Sequence, residues 1–292
     1  MARRLDLHSW DTLPGIAESG RSWAIVQADC ISTLERLPPQ SVDLIFADPP
    51  YHLSNGGTTC QSGRRVAVDK GGWDASRGLA TDHAFQRAWL TAARRALKPS
   101  GTLWVSGTQH VIFSIGFAMQ ELGYHLLNTV TWYKPNASPN LACRMFTHST
   151  EILLWASPSK GKPLAHRFNY REMKQRNGGK QMRDLWQIAE RPEPGGEQVV
   201  WSVPTPSARE KTCGRHPTQK PIALLERVIA ASAGPGDLVV DPFSGSGTTG
   251  VAALRAGCRF LGMELNPEYV ELAAQRLRMT EQAPAGEAGE AA

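Results

Sequence analysis

A six-residue, largely apolar run stopped by two prolines constrains this chain more than any other feature. Val42 to Ala47 reads as a buried strand. Asp48-Pro49-Pro50-Tyr51 ends it, because a residue without an N–H cannot continue a central strand. The backbone must leave the sheet where a carboxylate and an aromatic ring occur together. In an open α/β sheet, ligands bind in the crevice beyond the carboxyl ends of the strands. An Asp that accepts from an amino group and a Tyr that stacks suit a planar polar ligand there. The same four residues also suit a plain strand-ending turn.

The neighbouring pattern supports parallel strands. Ser22 to Ala28 is a strand candidate ending at Asp29-Cys30, and Ile31 to Leu37 is a short helix closed by Pro38-Pro39. Residues 1–20 show no periodicity and read as a loose arm. His52 to Asp74 holds Gly56-Gly57, Gly63 and Gly71-Gly72 without a sustained period, as expected of a lid beside a site. Thr81 to Leu97 and Gln109 to Leu122 read as helices, and Leu103 to Ser106, Leu126 to Tyr133 and Glu151 to Ala156 as strands.

A second constellation lies near the C-terminus. The strand Asp237 to Val240 feeds Asp241-Pro-Phe-Ser-Gly-Ser-Gly-Thr-Thr249, which opens a helix, and Glu264 ends the next strand. Gly245-x-Gly247-x-x-Gly250 lets a ligand approach the backbone at a helix N-terminus. An acid at the end of the following strand suits ribose hydroxyls, so the unit predicts an adenosine-containing ligand. An NAD enzyme usually begins with this unit, whereas here too little chain follows to complete a sheet. Asp241 would repel a pyrophosphate and suits a cationic amino group. S-adenosylmethionine (SAM) fits better.

Composition narrows the class further. With 41% hydrophobic and 20% charged residues the chain suits a soluble globular protein. No apolar run approaches the roughly 20 residues of a membrane span, and no secretory h-region follows the N-terminal Arg3-Arg4. The five cysteines form no Cys-x-x-Cys pair, so no metal site or disulfide framework is expected, and a cytoplasmic location is. The formal charge is +5, and the Glu-bearing tail from Glu281 leaves the body more basic still. Eleven of the basic residues fall between Ser157 and Thr212, interleaved with Phe168, Tyr170, Trp186 and Trp201. That mixture suits a nucleic-acid surface or a solvated irregular insertion.

Taken together, Asp48-Pro-Pro-Tyr51, His216-Pro-Thr-Gln-Lys-Pro221 and Asp241-Pro-Phe-Ser-Gly-Ser-Gly-Thr-Thr249, in that order, resemble the motifs of the permuted β-class of amino-group DNA methyltransferases. The likeness covers nearly all of residues 22 to 279 and is greatest to the HinfI- and DpnA-type adenine methylases. It implies a Rossmann-like fold: a seven-stranded, mostly parallel sheet with one antiparallel strand, flanked by helices. Residues 22–156 would form the catalytic half, 157–212 a DNA target-recognition insertion, 213–279 the SAM-binding half and 280–292 a disordered tail. The implied reaction moves a methyl group from SAM to the N6 amino group of adenine in a short DNA site, within a restriction-modification system or as an orphan enzyme. Partners would be DNA, double-stranded or single-stranded, and a second copy of the chain, with no interface assignable and no membrane.

The resemblance also implies roles. Asp48 and the Pro49 carbonyl accept the amino N–H bonds, Pro50 stiffens the turn, and Tyr51 stacks on a base that has left the duplex. Asp29 and Cys30 lie near the cofactor adenine. Asp241, Phe243, Ser244, Gly245, Gly247, Thr248 and Thr249 hold its methionine part, Glu264 its ribose, and Lys220 its carboxylate. DNA contacts are expected from the lid (Ser54, Asn55, Arg64, Arg65), from the polar loop (Lys134, Asn136, Arg144, His148) and from the insertion (Lys174, Arg176, Lys180, Arg183). Cytosine-N4 methylation remains open, although that family usually has Ser where Asp48 stands. A cytosine ring-carbon methylase needs a nucleophilic Cys, typically after Pro, and there is no Pro-Cys. An NAD-linked oxidoreductase leaves Asp48 to Tyr51 unexplained, and a non-catalytic DNA-binding module leaves the glycine loop unexplained.

Overall fold

The structure, a computed structural model, describes residues 15–54, 58–61, 64–67, 72–137, 139–159, 161, 164–187, 206, 210, 213–214 and 216–283. Its centre is a nine-stranded sheet ordered β1-β2-β11-β10-β3-β6-β8-β7-β9. The strands are β1 (Ile16–Ser19), β2 (Trp23–Gln27), β3 (Val42–Ala47), β6 (Leu97–Gly107), β7 (His125–Tyr133), β8 (Thr150–Ser157), β9 (Leu185–Gln187), β10 (Leu238–Asp241) and β11 (Arg259–Glu264). The seven from β2 to β7 are parallel except β8, which runs against both of its neighbours. Two short strands, β1 and β9, extend the edges beyond the seven expected. The first falls in the segment read as a loose arm. Its burial alternates, with no apolar run to announce a strand.

Helices cover both faces. On one side α1 (Cys30–Arg36), α2 (Leu79–Ala96) and α3 (Ile112–Glu121) pack Leu34, Trp89, Leu90 and Ile115 onto Ile45, Leu103 and Val105. On the other, α4 (Tyr170–Arg176), α5 (Ile222–Ser232), α6 (Thr248–Arg255) and α7 (Pro267–Gln282) pack Met173, Leu225, Val251 and Leu277 onto Leu44, Phe46, Trp104 and Phe260. Burial on both faces explains why the central strands read as continuous apolar runs rather than alternating ones.

Strand order places the site. β3 lies between β10 and β6, so the turns after Ala47 and after Asp241 leave the sheet side by side at its carboxyl edge. β7 and β8 form a hairpin with Tyr133 opposite Thr150, so the loop between them stands at this same edge. Antiparallel β8 therefore starts where β3 ends. The lid segment contains a hairpin, β4 (Thr58–Gln61) with β5 (Arg64–Ala67), and a 3-10 turn at Gly72–Asp74. Helix α7 continues to Gln282, beyond the expected start of a tail.

Candidate active site

The Asp48 turn is the most heavily bonded part of the site. Asp48 Oδ1 accepts from the Tyr51 hydroxyl at 2.6 Å, and Oδ2 pairs with Lys220 Nζ. The Tyr51 hydroxyl also meets Ser106 Oγ at 2.7 Å and Glu151 Oε2 at 3.2 Å. Lys134 closes the network, with Nζ on Glu151 Oε1 at 2.8 Å. Two carboxylates and two ammonium groups thus share one largely buried cluster. Burial pushes the Asp48 carboxyl up, and the Lys220 charge only partly offsets it. Burial alone would raise Glu151 as well, but Lys220 and Lys134 outweigh it and hold that carboxyl low. Lys220 loses solvent yet is held protonated by the Asp48 and Glu151 charges.

Three sequence expectations change here. Lys220 stands on Asp48, so it does not extend freely toward a cofactor carboxylate. Tyr51 is only 7% exposed and is packed inward, with Lys220 Nζ 5.1 Å from its ring centroid. Lys134 is drawn to Glu151 instead of outward to DNA. The two lysines follow from one cause: the charges of the Asp48–Glu151 cluster are buried and must be paired.

A second buried acid holds the backbone of the turn. Asp74 accepts the consecutive N–H groups of Tyr51, His52, Leu53 and Ser54 at 2.8–3.0 Å, and the Ser54 hydroxyl at 2.9 Å. Ser54, expected at DNA, is thereby turned inward. His52 takes φ 59°, a conformation uncommon for a residue with a side chain. The signal was Gly72-Trp73-Asp74 at the end of the lid, where a lone acid gives no hint of what it accepts.

Next to this cluster lies a cavity of about 410 Å³. Asp48 and Pro50 line it together with Asp29, Cys30, Phe243, Gly245 and Glu264. The glycine turn is closely built. Gly247 has φ +73°, and a Cβ there would come 2.9 Å from the Ala273 Cβ. Glu264 is aimed by three backbone N–H groups, those of Gly245, Leu265 and Asn266, at 2.8–2.9 Å. Asp29 caps α1 by accepting from Ser32 N at 2.9 Å. Burial, aided by Asp29, pushes the Cys30 thiol up to about 12, which makes it an unreactive wall.

Several cofactor candidates turn inward. Asp241 accepts from Phe243 N and from Thr249 Oγ1, and is absent from the cavity lining. Thr248 meets Arg276 Nη1 at 3.0 Å, and Ser244 is buried with no partner for its hydroxyl. These four side chains build the loop, and the backbone presents it. Two residues of the predicted His216–Pro221 motif line the cavity too, as does Tyr269, which no motif marks. His216 lies 3.0 Å from where a Gly245 Cβ would stand, Tyr269 packs edge-on against it, and Thr218 lines the wall beside them.

The cavity suits SAM. His52 lines it with both ring nitrogens buried and lacking a hydrogen-bond partner, and the nearest carboxylate, Asp82, is 3.9 Å from Nε2. A backbone-held carboxylate (Glu264), a glycine cradle and a buried imidazole without a hydrogen-bond partner match a zwitterionic adenosine compound.

Of the DNA candidates, Asn136, Arg144, His148, Lys174, Arg176, Lys180 and Arg183 are exposed. Arg176 also pairs with Glu172 at 2.7 Å. Arg64 and Arg65 belong to β5, and Asn55 lies outside the described residues. Among the described residues no cluster suits a metal ion and no helix is long and apolar enough to cross a membrane.

Comparison with known proteins gives the same picture. A family profile described as DNA methylase matches residues 42–275. The type II methyltransferases M2.LlaDCHI of Lactococcus lactis subsp. cremoris and M2.DpnII of Streptococcus pneumoniae are each 47% identical over 253 residues. Each match covers 87% of this chain and 88% of the relative. The solved M1.HpyAVI–SAM complex is 26% identical with a TM-score of 0.57, covering 87% of this chain and 98% of that one.

Proposed function

Since the chain belongs to the DNA methylase family and is a SAM-dependent DNA methyltransferase, we propose that it methylates the N6 amino group of adenine within a short DNA sequence. One observation carries this reading: Asp48 and the glycine turn line a single cavity, so an amino group and a methyl donor can meet there.

When bound, SAM supplies a methyl group on a sulfonium, already activated for transfer. The glycine turn, Glu264, His216 and His52 are the residues that would hold it. The chemistry left to the chain is orientation. The exocyclic nitrogen of adenine is a poor nucleophile because its lone pair is delocalised into the ring. Asp48 and the Pro49 carbonyl accept its two N–H bonds and favour a pyramidal nitrogen with a directed lone pair. Lys220 Nζ on Asp48 Oδ2 opposes the effect of burial and favours the ionised, accepting carboxylate. Transfer is direct, the amino nitrogen gives up one proton to Asp48 or to solvent as its bond to the methyl carbon forms, and positioning and electrostatics provide the rate. The relatives' type II names support a role beside a restriction enzyme in the cytoplasm. Likeness to HinfI- and DpnA-type methylases, action on single as well as double strands, and a homodimer belong to the same proposal.

The test is expression in a host without DNA methylases, followed by sequencing with modified-base detection. N6-methyladenine at one short site is expected; N4-methylcytosine would overturn the adenine assignment.

A further inference from the structure

The loop of the β7–β8 hairpin, at the same sheet edge as the site, exposes a group of large apolar side chains. Phe146 is 96% exposed, Met145 61% and Leu141 43%. Leaving these side chains in water is unfavourable, and nothing in their own loop requires it. The turn is nevertheless built to present them. Asn140 Nδ2 donates to the Met145 carbonyl at 2.8 Å, and Asn140 Oδ1 accepts from Ala142 N at 3.0 Å. The loop's base is anchored in the catalytic cluster, where Lys134 N donates to the Ser149 carbonyl at 2.7 Å and Lys134 Nζ to Glu151 at 2.8 Å.

The chemistry of the loop names its occupant. From Lys134 to Ser149 there is no Asp or Glu, and with Lys134 paired to Glu151 the exposed Arg144 is the basic residue the loop presents. An apolar tip on a basic loop complements a stack of bases inside a polyanionic backbone. The location requires such a device. The Asp48 side chain is only 15% exposed, so a base stacked within a duplex cannot reach it. The base must rotate out, which opens a gap in the stack. Apolar side chains are the wedges proteins insert at such steps.

We propose that Phe146, supported by Met145, inserts into duplex DNA beside the target adenine and fills the space that the extruded base leaves. Phe146 is a positioning residue, acting on the duplex and not on the methyl transfer itself. The proposal deepens the assignment above and rests on it.

The test uses the full chain and an oligonucleotide duplex carrying the mapped site, with the target adenine either paired or mismatched. Phe146→Ala should lower kcat/KM on the paired duplex at least about tenfold, yet stay within about threefold of the parent on the mismatched one, whose base is already loosened. Phe146→Trp should restore the paired duplex. Equal loss on both duplexes, or no loss on either, overturns the wedge. A changed oligomeric state of Phe146→Ala in size-exclusion chromatography assigns the tip to a second copy of the chain and also overturns it. A parent enzyme inactive on both duplexes instead refutes the adenine assignment.

Discussion

Lys220 and Asp48 lie 172 residues apart in the sequence and form a buried ion pair at the wall of the donor cavity. The pair couples the two halves of the chain through charge. Removing Lys220 leaves Asp48 and Glu151 facing each other with Lys134 as the sole remaining cation of the cluster. Lys220→Met should destabilise the protein by about 3–5 kcal/mol, the usual cost of breaking a buried pair from one side. Thermal unfolding measures it, and an unchanged Tm would assign the charge balance to other groups.

Asp48 itself should be separable from cofactor binding. Asp48→Ala should lower kcat at least about 100-fold, as expected when a preorganised charge at the reacting group is lost. Calorimetric SAM affinity should change little. Lost SAM binding would make Asp48 a cofactor residue rather than an acceptor of the amino group.

Asp74 organises backbone that carries no motif residue of its own beyond Tyr51. Asp74→Ala strips the acceptor from four buried or half-buried N–H groups. Each unsatisfied buried group costs about 1–3 kcal/mol, so a loss of several kcal/mol is expected where water cannot enter. Hydrogen exchange provides the residue-level reading, since the Tyr51 to Ser54 amides should lose protection before those of β3 do.

Asp241 gives a pH dependence. Burial raises its pKa from 3.8 to about 7, against hydrogen bonds from Thr249 and Phe243. In the unfolded chain it ionises near the lower value. Between about pH 4 and 7 the unfolded state therefore loses a proton that the folded state retains, and stability falls as pH rises through that window. Above 7 the loss is complete. The Tm of the parent relative to Asp241→Asn should drop by several degrees from pH 5 to pH 8. A constant difference would show that Asp241 is ionised throughout.

Gly247 is the steric test of the donor loop. Gly247→Ala places a Cβ 2.9 Å from the Ala273 Cβ and in a left-handed backbone conformation, φ +73°. The strain should cost about 1–3 kcal/mol and weaken SAM binding; Gly178→Ala, where a Cβ meets nothing within 4 Å, controls for strain without crowding.

The sequence made the sheet legible because its central strands are buried on both faces and appear as apolar runs. Asp48, Gly245 and Glu264 were legible for a related reason: each interrupts or ends such a run at the carboxyl edge. What it hid were partners chosen by three-dimensional proximity. Glu151 begins an antiparallel strand whose place between β6 and β7 no local pattern announces. Lys220, Thr248 and Thr249 have side chains that fit either a ligand or an internal bond, and burial sent them inward. β1 and β9 were missed because strands of three or four residues carry too little periodicity.

The adjacency of β3 and β10 has a consequence for biosynthesis. A ribosome must release residues beyond Glu264 before the cavity that Asp48 lines is complete, so shorter nascent fragments are expected to be inactive. By the same logic, two polypeptides divided within the basic insertion should each be inert and regain activity only on reassociation. That arrangement would let a cell, or an experimenter, make methylation depend on the meeting of two separately produced halves.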